Sequence, residues 1–326
     1  MEKPYFKQVS LGILISCILF LIVVWFQVDS PTESSRWIDK IQQIKLQQAD
    51  SIKKPKLVVV GGSGALFGIS CKAIKKSTDI PCINGGTHAG LDLDYILYFG
   101  RQLAKSGDTV ILVLEHSLYS YDSQISNVLI DYVFSREPQY ILSLNFMEKI
   151  RFIGGLSFKR IALGWVSKLT KNQKITTGYQ ATTINEYGDE TDNLEVKMTN
   201  VHKQQIARLK PMKFGKQYLL SAEAQKIIRE FVNWCHQNNI EVIANWPNTV
   251  WFEEYKKPEA EKYFQSIQDF YQLIEVPIIG KPIDFMYDTS FFYDTTYHLN
   301  DRGTRLRTKK LIELIQPYLD KLLPSP

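Results

Sequence analysis

The sequence predicts an α/β protein in which helices cover both faces of a parallel sheet, a doubly wound arrangement preceded by one transmembrane helix. Two observations carry this prediction. Short apolar runs rich in β-branched residues alternate with longer segments of helical periodicity over most of the chain. In addition, the 20 residues from Val9 to Val28 are largely apolar and carry no formal charge, and a helix of that length crosses a bilayer.

The N-terminal stretch, residues 9–28, is interpreted as an uncleaved membrane anchor. A cleaved signal peptide is the alternative, but its apolar region would be shorter and would end at a small-x-small site. Here the stretch runs into Trp25, Phe26 and Gln27. The first 28 residues therefore divide into a short N-terminal segment, residues 1–8, and the anchor.

Charges on the two sides of the anchor predict its orientation. Lys3 and Lys7 precede it, whereas Asp29 and Glu33 follow it. The positive-inside rule then places residues 1–8 in the cytoplasm and the body of the protein across the membrane. In a bacterium this predicts a single-pass protein of the inner membrane with a periplasmic or otherwise extracytoplasmic domain.

After the anchor, residues 29–55 are polar and favour helix, which predicts a stalk, and residues 56–326 form the α/β body. Strands are predicted by apolar runs at Leu57–Val60, Ile80–Asn84, Thr109–Leu114, Glu241–Asn245 and Glu275–Ile279. Helices are predicted between and after them at Leu66–Lys76, His88–Lys105, Ala222–Asn238, Pro258–Leu273 and Asp301–Leu322.

The alternation is interrupted at about residues 121–211, which predicts an insertion. Its first part mixes basic with apolar residues, and its second part, INEYGDETDN, is rich in turn formers. A lid over a site, a shallow membrane contact and a helical side layer with solvated lysines are the open alternatives.

The cysteines narrow the range of possible functions only slightly. Cys17 lies in the anchor, and Cys71, Cys82 and Cys235 remain in the body, so at most one intramolecular pair forms there. A Cys71–Cys82 disulfide and three buried thiols are equal alternatives.

The net charge of +5 is spread out, without the dense Lys/Arg block of a nucleic-acid site. No HxxxH or CxxC pair points to a metal, and the chemistry proposed below requires no cofactor.

The loop after the first strand is the main functional signal, because LVVVGGSG (57–64) places Ser63 among glycines. Such a loop suggests that either a phosphate or a reacting carbonyl comes close to the backbone. Gly68 is one residue off the dinucleotide-binding spacing, and no Gly-Lys-Ser/Thr follows, so the phosphate interpretation is weak. We therefore interpret Ser63 as a nucleophile, with a simple turn serine as the alternative.

A base and an acid for Ser63 are predicted near the C-terminus, in FFYDTTYHLNDRG. Asp294 and His298 lie in this loop, which follows the last strand and so reaches the same carboxyl edge of the sheet. His298 would act as base and Asp294 would orient it. Backbone N–H groups of Ser63, Gly64 and Gly86 are the predicted oxyanion donors.

Other polar or aromatic residues also follow predicted strands and are candidates for binding substrate, with a structural role as the alternative for each. They are Asn84, His88, Glu115, Asn245 and Trp246.

Three segments resemble a known family. VVVGGSG, NGGTHAG and DTTYHLNDRG are similar to the first, second and last blocks of the SGNH (GDSL-type) hydrolase superfamily, in the membrane-anchored bacterial branch that contains DltD-type proteins and polysaccharide O-acetyltransferases. The resemblance implies a flavodoxin-like three-layer α/β/α fold and a Ser63–His298 pair. It also implies acyl transfer or ester hydrolysis on cell-envelope glycans or lipids.

Two departures from the family pattern stand out. Asp294 lies four residues before His298 rather than three, with Asp288 as a weaker substitute, and LEHSLYS after the third strand lacks the Asn that the family supplies to its oxyanion hole.

Together these observations predict a membrane-anchored serine acyltransferase or esterase that acts on acyl esters, O-acetyl esters foremost. A multi-span acyl exporter is the expected partner of a transferase. The alternative is a non-catalytic envelope protein that binds glycan or serves as an assembly subunit.

Overall fold

The computed structural model describes residues 3–170 and 180–319. Residues 1–2 of the predicted cytoplasmic segment, residues 171–179 of the predicted insertion and residues 320–326 lie outside the described residues. The chain forms two compact units. The first comprises Met1–Asp39 and Ile125–Gly178, and the second comprises Lys40–Gln124 and Tyr179–Pro326. The predicted insertion at 121–211 is therefore divided between the two units.

The first unit is helical throughout its described part. Its helices are α1 (Lys3–Gln27), the start of α2 (Glu33–Ser51), α7 (Asn127–Arg136), α8 (Pro138–Ser143), α9 (Phe146–Gly154) and α10 (Phe158–Leu169). The segment Tyr5–Gln27 is long and apolar enough to cross a membrane, and no other helix of the described residues meets the same test. The predicted apolar helix at 9–28 is thus present, and it begins a few residues earlier.

The second unit contains a five-stranded parallel sheet of β1 (Leu57–Gly61), β2 (Cys82–Asn84), β3 (Thr109–Val113), β4 (Glu241–Asn245) and β6 (Ile278–Ile279). The strand order among the described residues is β2-β1-β3-β4-β6. A separate parallel pair consists of β5 (Thr249–Val250) and β7 (Met286–Tyr287). All five strands predicted from apolar runs are present, with shorter bounds at β2 and β6.

Helices cover both faces of this sheet. Besides the end of α2, the second unit contains the helices α3 (Ser63–Gly68), α4 (Cys71–Thr78), α5 (Asp92–Leu103), α6 (His116–Tyr119), α11 (Asn200–Ala207), α12 (Ala222–Gln237), α13 (Pro258–Leu273) and α14 (Asp301–Leu319). Val59 of β1 packs in one cluster with Ile74 of α4 and Ile315 of α14. The next residue, Val60, faces the other side, where it contacts Gly100 of α5. The α/β class with a buried parallel sheet is therefore confirmed.

The helix predicted over Leu66–Lys76 is wrong as a single element, because α3 ends at Gly68 and α4 begins at Cys71. Two side chains, one of them distant in sequence, cap the start of the second helix. Ser70 caps α4 by accepting a hydrogen bond from the N–H of Ala73 (3.2 Å). The carboxylate of Asp189 accepts two more, from Cys71 (2.7 Å) and Lys72 (3.0 Å), so the second helix starts with all three donors satisfied.

Of the two alternatives for the cysteines of the body, the structure contains the disulfide. Cys71 and Cys82 form a disulfide, which joins the start of α4 to the start of β2. Cys235 remains a buried thiol, and burial raises its pKa to about 12. Cys17 lies in α1, as predicted.

The second half of the predicted stalk at 29–55 is not a solvated spacer. Lys45 of α2 is fully buried in the second unit, and its ammonium donates hydrogen bonds to the carbonyls of Asn84 (2.7 Å), Gly86 (2.6 Å) and Gly188 (2.9 Å). Burial lowers the pKa of Lys45 to about 7, although the nearby charges of Asp189 and Glu190 raise it. This part of α2 therefore holds the loop that follows β2.

Candidate active site

Ser63 is the first residue of α3 and comes two residues after β1 ends. It is half-buried, whereas the residues that follow it in α3 are buried. Because helical residues four apart lie on the same face, the side chain of Ser63 shares a face of α3 with Phe67. The position of Ser63 at the carboxyl end of β1 agrees with the sequence prediction.

His298 and Asp294 are in direct contact. Nδ1 of His298 lies 2.7 Å from Oδ1 of Asp294, and both side chains are about nine-tenths buried. An ionised carboxylate only accepts hydrogen bonds, so Nδ1 carries the proton and Nε2 is the nitrogen that can take one. Thr295 fixes the loop between them, because its Oγ1 accepts a hydrogen bond from the His298 N–H (3.1 Å). A spacing of four residues therefore allows the predicted pair.

Phe67 links this pair to the helix of Ser63. Its ring stacks on the imidazole of His298 with centroids 4.2 Å apart and planes 10° apart. Since Ser63 and Phe67 share a face of α3, the stack brings Ser63, His298 and Asp294 to one region of the sheet edge. Phe67 was not among the residues predicted from the sequence, although its spacing of four from Ser63 could have indicated a role.

Glu115 explains the glycines around Ser63. Its carboxylate is buried beneath the loop and accepts hydrogen bonds from the N–H groups of Gly62 (3.1 Å) and Gly64 (2.6 Å). A Cβ atom on Gly62 would lie 2.5 Å from Oε1 of Glu115, and one on Gly64 would lie 3.1 Å from it. A carboxylate of the chain itself therefore lies against the backbone of Gly62 and Gly64, and it accounts for these two glycines without a ligand.

The pKa of the Glu115 carboxyl group is subject to opposing effects. Burial raises the pKa of its carboxyl group, and the hydrogen bonds from Gly64 and Gly62 together with the charge of His298 act in the opposite direction.

Two of the three N–H groups that were predicted to bind an oxyanion donate to side chains of the protein instead. The N–H of Gly64 donates to Glu115, and the N–H of Gly86 donates to Oδ1 of Asn84 at 2.9 Å. Both groups are thus already used inside the protein. Of the predicted donors, the N–H of Ser63 remains, since first-turn N–H groups have no partner within their own helix.

Four of the five predicted substrate-binding residues are structural in this fold. Asn84, Glu115, Asn245 and Trp246 are all buried. The amide of Asn84 donates to the carbonyls of Ala65 (3.1 Å) and Ile69 (2.9 Å), which ties β2 to α3. The polar groups of Asn84 are thus satisfied within the protein and hold the fold.

Asn245 and Trp246 are held by a residue that the sequence did not single out. The guanidinium of Arg307 is fully buried and donates to Oδ1 of Asn245 (3.0 Å) and to the carbonyl of Trp246 (3.0 Å). Burial lowers the pKa of Arg307 to about 10. The indole N–H of Trp246 donates to the carbonyl of Gly280 (3.1 Å), so this tryptophan is a core residue and not a sugar platform.

His88 is the candidate that stays close to the site. It is half-buried, and its Nδ1 accepts a hydrogen bond from the N–H of Gly90 (2.9 Å). Burial, and in second place the charge of His298, lower the pKa of His88 to about 4. The imidazole is therefore neutral near pH 7, with its proton on Nε2.

Asp288 does not substitute for Asp294. It is exposed, and its Oδ1 accepts a hydrogen bond from the N–H of Ser290 (2.9 Å). This contact caps a short 3₁₀ turn, Thr289–Phe291, which agrees with the prediction that Asp288 is the weaker candidate.

A separate cavity of about 580 Å³ lies in the second unit. It is lined by residues of α13 and of the loops after β5 and β6, including Trp251, Tyr255, Lys256, Phe264 and Lys281. None of the lining residues is Ser63, His298 or Asp294. Aromatic faces beside cationic and amide groups are suited to a polar, ring-shaped ligand.

No group of three or more His, Cys, Asp and Glu residues that could hold a metal ion occurs within residues 3–170 and 180–319.

No family model matches this sequence, and no curated protein is significantly similar to it.

Proposed function

We propose that this protein is a membrane-anchored serine acyltransferase or esterase of the SGNH type that acts on acyl esters of cell-envelope glycans. One observation carries the proposal: the Asp294–His298 pair lies against Phe67, one helical turn from Ser63. A serine, a histidine and a carboxylate that share one sheet edge are the parts that acyl transfer needs.

In the proposed reaction, Oγ of Ser63 attacks the carbonyl carbon of the acyl donor while its proton moves to Nε2 of His298. Asp294 holds Nδ1–H and stabilises the imidazolium that forms. The N–H of Ser63 stabilises the oxyanion. The tetrahedral intermediate then expels its alcohol, which takes the proton from His298, and acyl-Ser63 remains.

The second half of the reaction decides between the two activities. His298 takes a proton from the incoming nucleophile, which attacks acyl-Ser63 and releases the serine with its proton restored. With water the product is an acid, and the protein is an esterase. With a glycan hydroxyl the product is a new ester, and the protein is a transferase. Attachment to a membrane favours the transferase, because the acceptor polymers are made at that surface.

Three further features support this assignment. The strand order β2-β1-β3-β4-β6 is compatible with a flavodoxin-like sheet, in which ligands bind at the carboxyl ends of strands. The Cys71–Cys82 disulfide fits an oxidising compartment such as the periplasm. The uncharged stretch 9–28, with Lys3 and Lys7 before it and acidic residues after it, fits a cytoplasmic N-terminus. A multi-span exporter that delivers the acyl group is the expected partner.

The test uses the full chain in detergent and a fluorophosphonate probe, with intact mass as the readout. Such a probe phosphonylates only a serine that a base activates. We expect one adduct on the wild type and none on Ser63→Ala or His298→Ala. Ser117→Ala is the matched control, because Ser117 is an exposed serine in the first turn of α6, directly after another strand. A folded wild type without an adduct would refute the catalytic role.

A non-catalytic role in glycan binding is the second candidate, and the cavity beside Trp251 favours it. Under that alternative, Trp251→Ala abolishes glycan binding, whereas Ser63→Ala leaves both binding and function in cells unchanged. Under the enzymatic proposal, Ser63→Ala abolishes function without unfolding the protein.

A further inference from the structure

Helix α10 buries its polar face and exposes its apolar face. Arg160, Gly164 and Ser167 form one face, and all three are buried. The opposite face carries Phe158 and Leu169, which are 92% and 79% exposed. A helix at the surface of a soluble domain instead buries its apolar stripe.

The exposed face is continuous along the helix. Apolar residues recur at 158, 162, 165, 166 and 169, which is the spacing of one helical face. Trp165 and Val166, in the middle of this stripe, are 48% and 47% exposed. Exposed apolar surface therefore extends from Phe158 to Leu169 along α10.

Contacts within the first unit fix α10 at the end of the apolar helix α1. The ring of Trp165 packs on that of Phe26, with centroids 5.2 Å apart. Arg160 donates to Oε1 of Gln27 (3.0 Å) and to the carbonyl of Ser30 (3.1 Å), and its charge is balanced by Asp131 (2.7 Å). These partners belong to the last turn of α1, to the segment just after it and to α7, so α10 lies at the level where α1 ends.

A second helix of the same unit has a similar exposed patch. Phe146, Met147 and Ile150 of α9 are 74%, 60% and 47% exposed. On the other side of α9, Phe152 is buried against Tyr140 of α8, with ring centroids 5.9 Å apart. The buried contact holds α9 in place and leaves the apolar patch outside.

The charges around these two helices are almost all positive. Residues 138–170 contain five basic side chains and one acidic side chain, Glu148. Of the basic residues, Arg151 and Lys159 are exposed next to the apolar patches, whereas Arg160 is used in the buried ion pair. Exposed apolar groups flanked by cations are typical of helices that lie in the interface of an anionic bilayer.

We propose that α9 and α10 lie in the lipid–water interface of the leaflet in which α1 ends, with Phe158, Trp165 and Leu169 among the acyl chains and Arg151 and Lys159 at anionic headgroups. The lipid bilayer is the occupant that continuity with α1 selects, because a helix packed on the last turn of a transmembrane segment is at the depth of the headgroups. This inference does not depend on the chemistry of Ser63.

The test measures the depth of single labels in the full chain, reconstituted in nanodiscs that contain phosphatidylethanolamine and phosphatidylglycerol. In a Cys17→Ala background, Phe158→Cys, Val166→Cys and Leu169→Cys each carry an environment-sensitive fluorophore. Lys226→Cys, at an exposed lysine of α12, is the matched control. Lipids with a nitroxide near the top of the acyl chain quench labels at the interface more than lipids with a nitroxide near its end.

We expect shallow nitroxides to quench the three α10 labels by at least about half and to leave the control nearly unchanged. Ser63→Ala should give the same values. Quenching of the α10 labels no greater than that of the control would overturn the proposal and would point to a protein partner on this face. Equal quenching in nanodiscs of phosphatidylcholine alone would support the interfacial position and overturn the headgroup contacts.

Discussion

The ring of Phe67 lies flat on the imidazole of His298, with centroids 4.2 Å apart. His298 is thus held at its edge by Asp294 and on its face by Phe67. Because Phe67 is four residues after Ser63, the same short helix carries the proposed nucleophile and supports the proposed base. The relative position of these two groups depends on α3 rather than on the loop of His298 alone.

Phe67→Ala should therefore slow labelling of Ser63 by the fluorophosphonate probe by about 10- to 100-fold, because a displaced base loses its alignment. Its loss of packing should also lower the free energy of unfolding by about 3–5 kcal/mol. Phe67→Leu keeps most of the volume and serves as the control for packing. Labelling at the wild-type rate in folded Phe67→Ala would show that the stack does not position His298.

The close approach of Glu115 to Gly62 can be tested by a double-mutant cycle. Gly62→Ala should destabilise the protein by about 1–3 kcal/mol, because the new Cβ overlaps the carboxylate. In a Glu115→Ala background the same substitution should cost much less, since the space is then empty. Thermal or chemical unfolding measures both differences.

Gly154→Ala is the matched control for this cycle, because nothing lies within 4 Å of the Cβ that it would add. It should have little effect in either background. Equal costs of Gly62→Ala with and without Glu115 would mean that the glycine is needed for another reason.

Acid should destabilise the protein through His116. This imidazole is fully buried, its Nδ1 lies 3.2 Å from the hydroxyl of Tyr263, and burial lowers its pKa to about 3. Between its usual pKa and about 3, the unfolded chain binds a proton that the folded chain does not. Stability should thus fall as the pH falls from about 6.5, by up to about 1.4 kcal/mol per pH unit.

His116→Phe removes this titration and should make the loss of stability with falling pH less steep. His88 contributes in the same direction through its own lowered pKa, so a residual slope is expected. Unfolding measured at several pH values compares the two slopes, and parallel curves for wild type and variant would contradict the assignment.

The disulfide predicts a thiol count. Without reductant, the denatured full chain should react with two equivalents of a thiol reagent, at Cys17 and Cys235, and with four after reduction. Reduction should also lower the free energy of unfolding by about 3 kcal/mol, because it releases a short closed loop in the unfolded chain. Four reactive thiols before reduction would exclude the pair in the protein as isolated.

Regular elements of this fold could be predicted from the sequence where the apolar pattern was unambiguous. β4 and α13 have the predicted bounds, since each is a clear strand or helix pattern between turn residues. The break between α3 and α4 could not be predicted, because Asp189, more than a hundred residues away, caps the second helix. A partner so distant in sequence leaves no local signal.

Some features of the candidate site could likewise be predicted from the sequence, and others could not. The Asp294–His298 contact could be predicted because both residues lie in one loop after the last strand, although their spacing of four departs from the family pattern. The roles of Glu115 and Asn245 could not, because residues after parallel strands reach the same edge whether they face a ligand or the interior. Only the depth of each side chain and its partners, such as Arg307 for Asn245, separates these two cases.

Lys45 sets a limit on where the chain can be cut. A fragment that begins at Lys56 would keep every strand of the sheet, yet it would leave the carbonyls of Asn84, Gly86 and Gly188 without the cation that now satisfies them. Buried carbonyls without donors are costly. A cut between the apolar helix and Lys45 would leave these hydrogen bonds in place, whereas a cut after Lys45 would separate the lysine from the part of the chain whose carbonyls it satisfies.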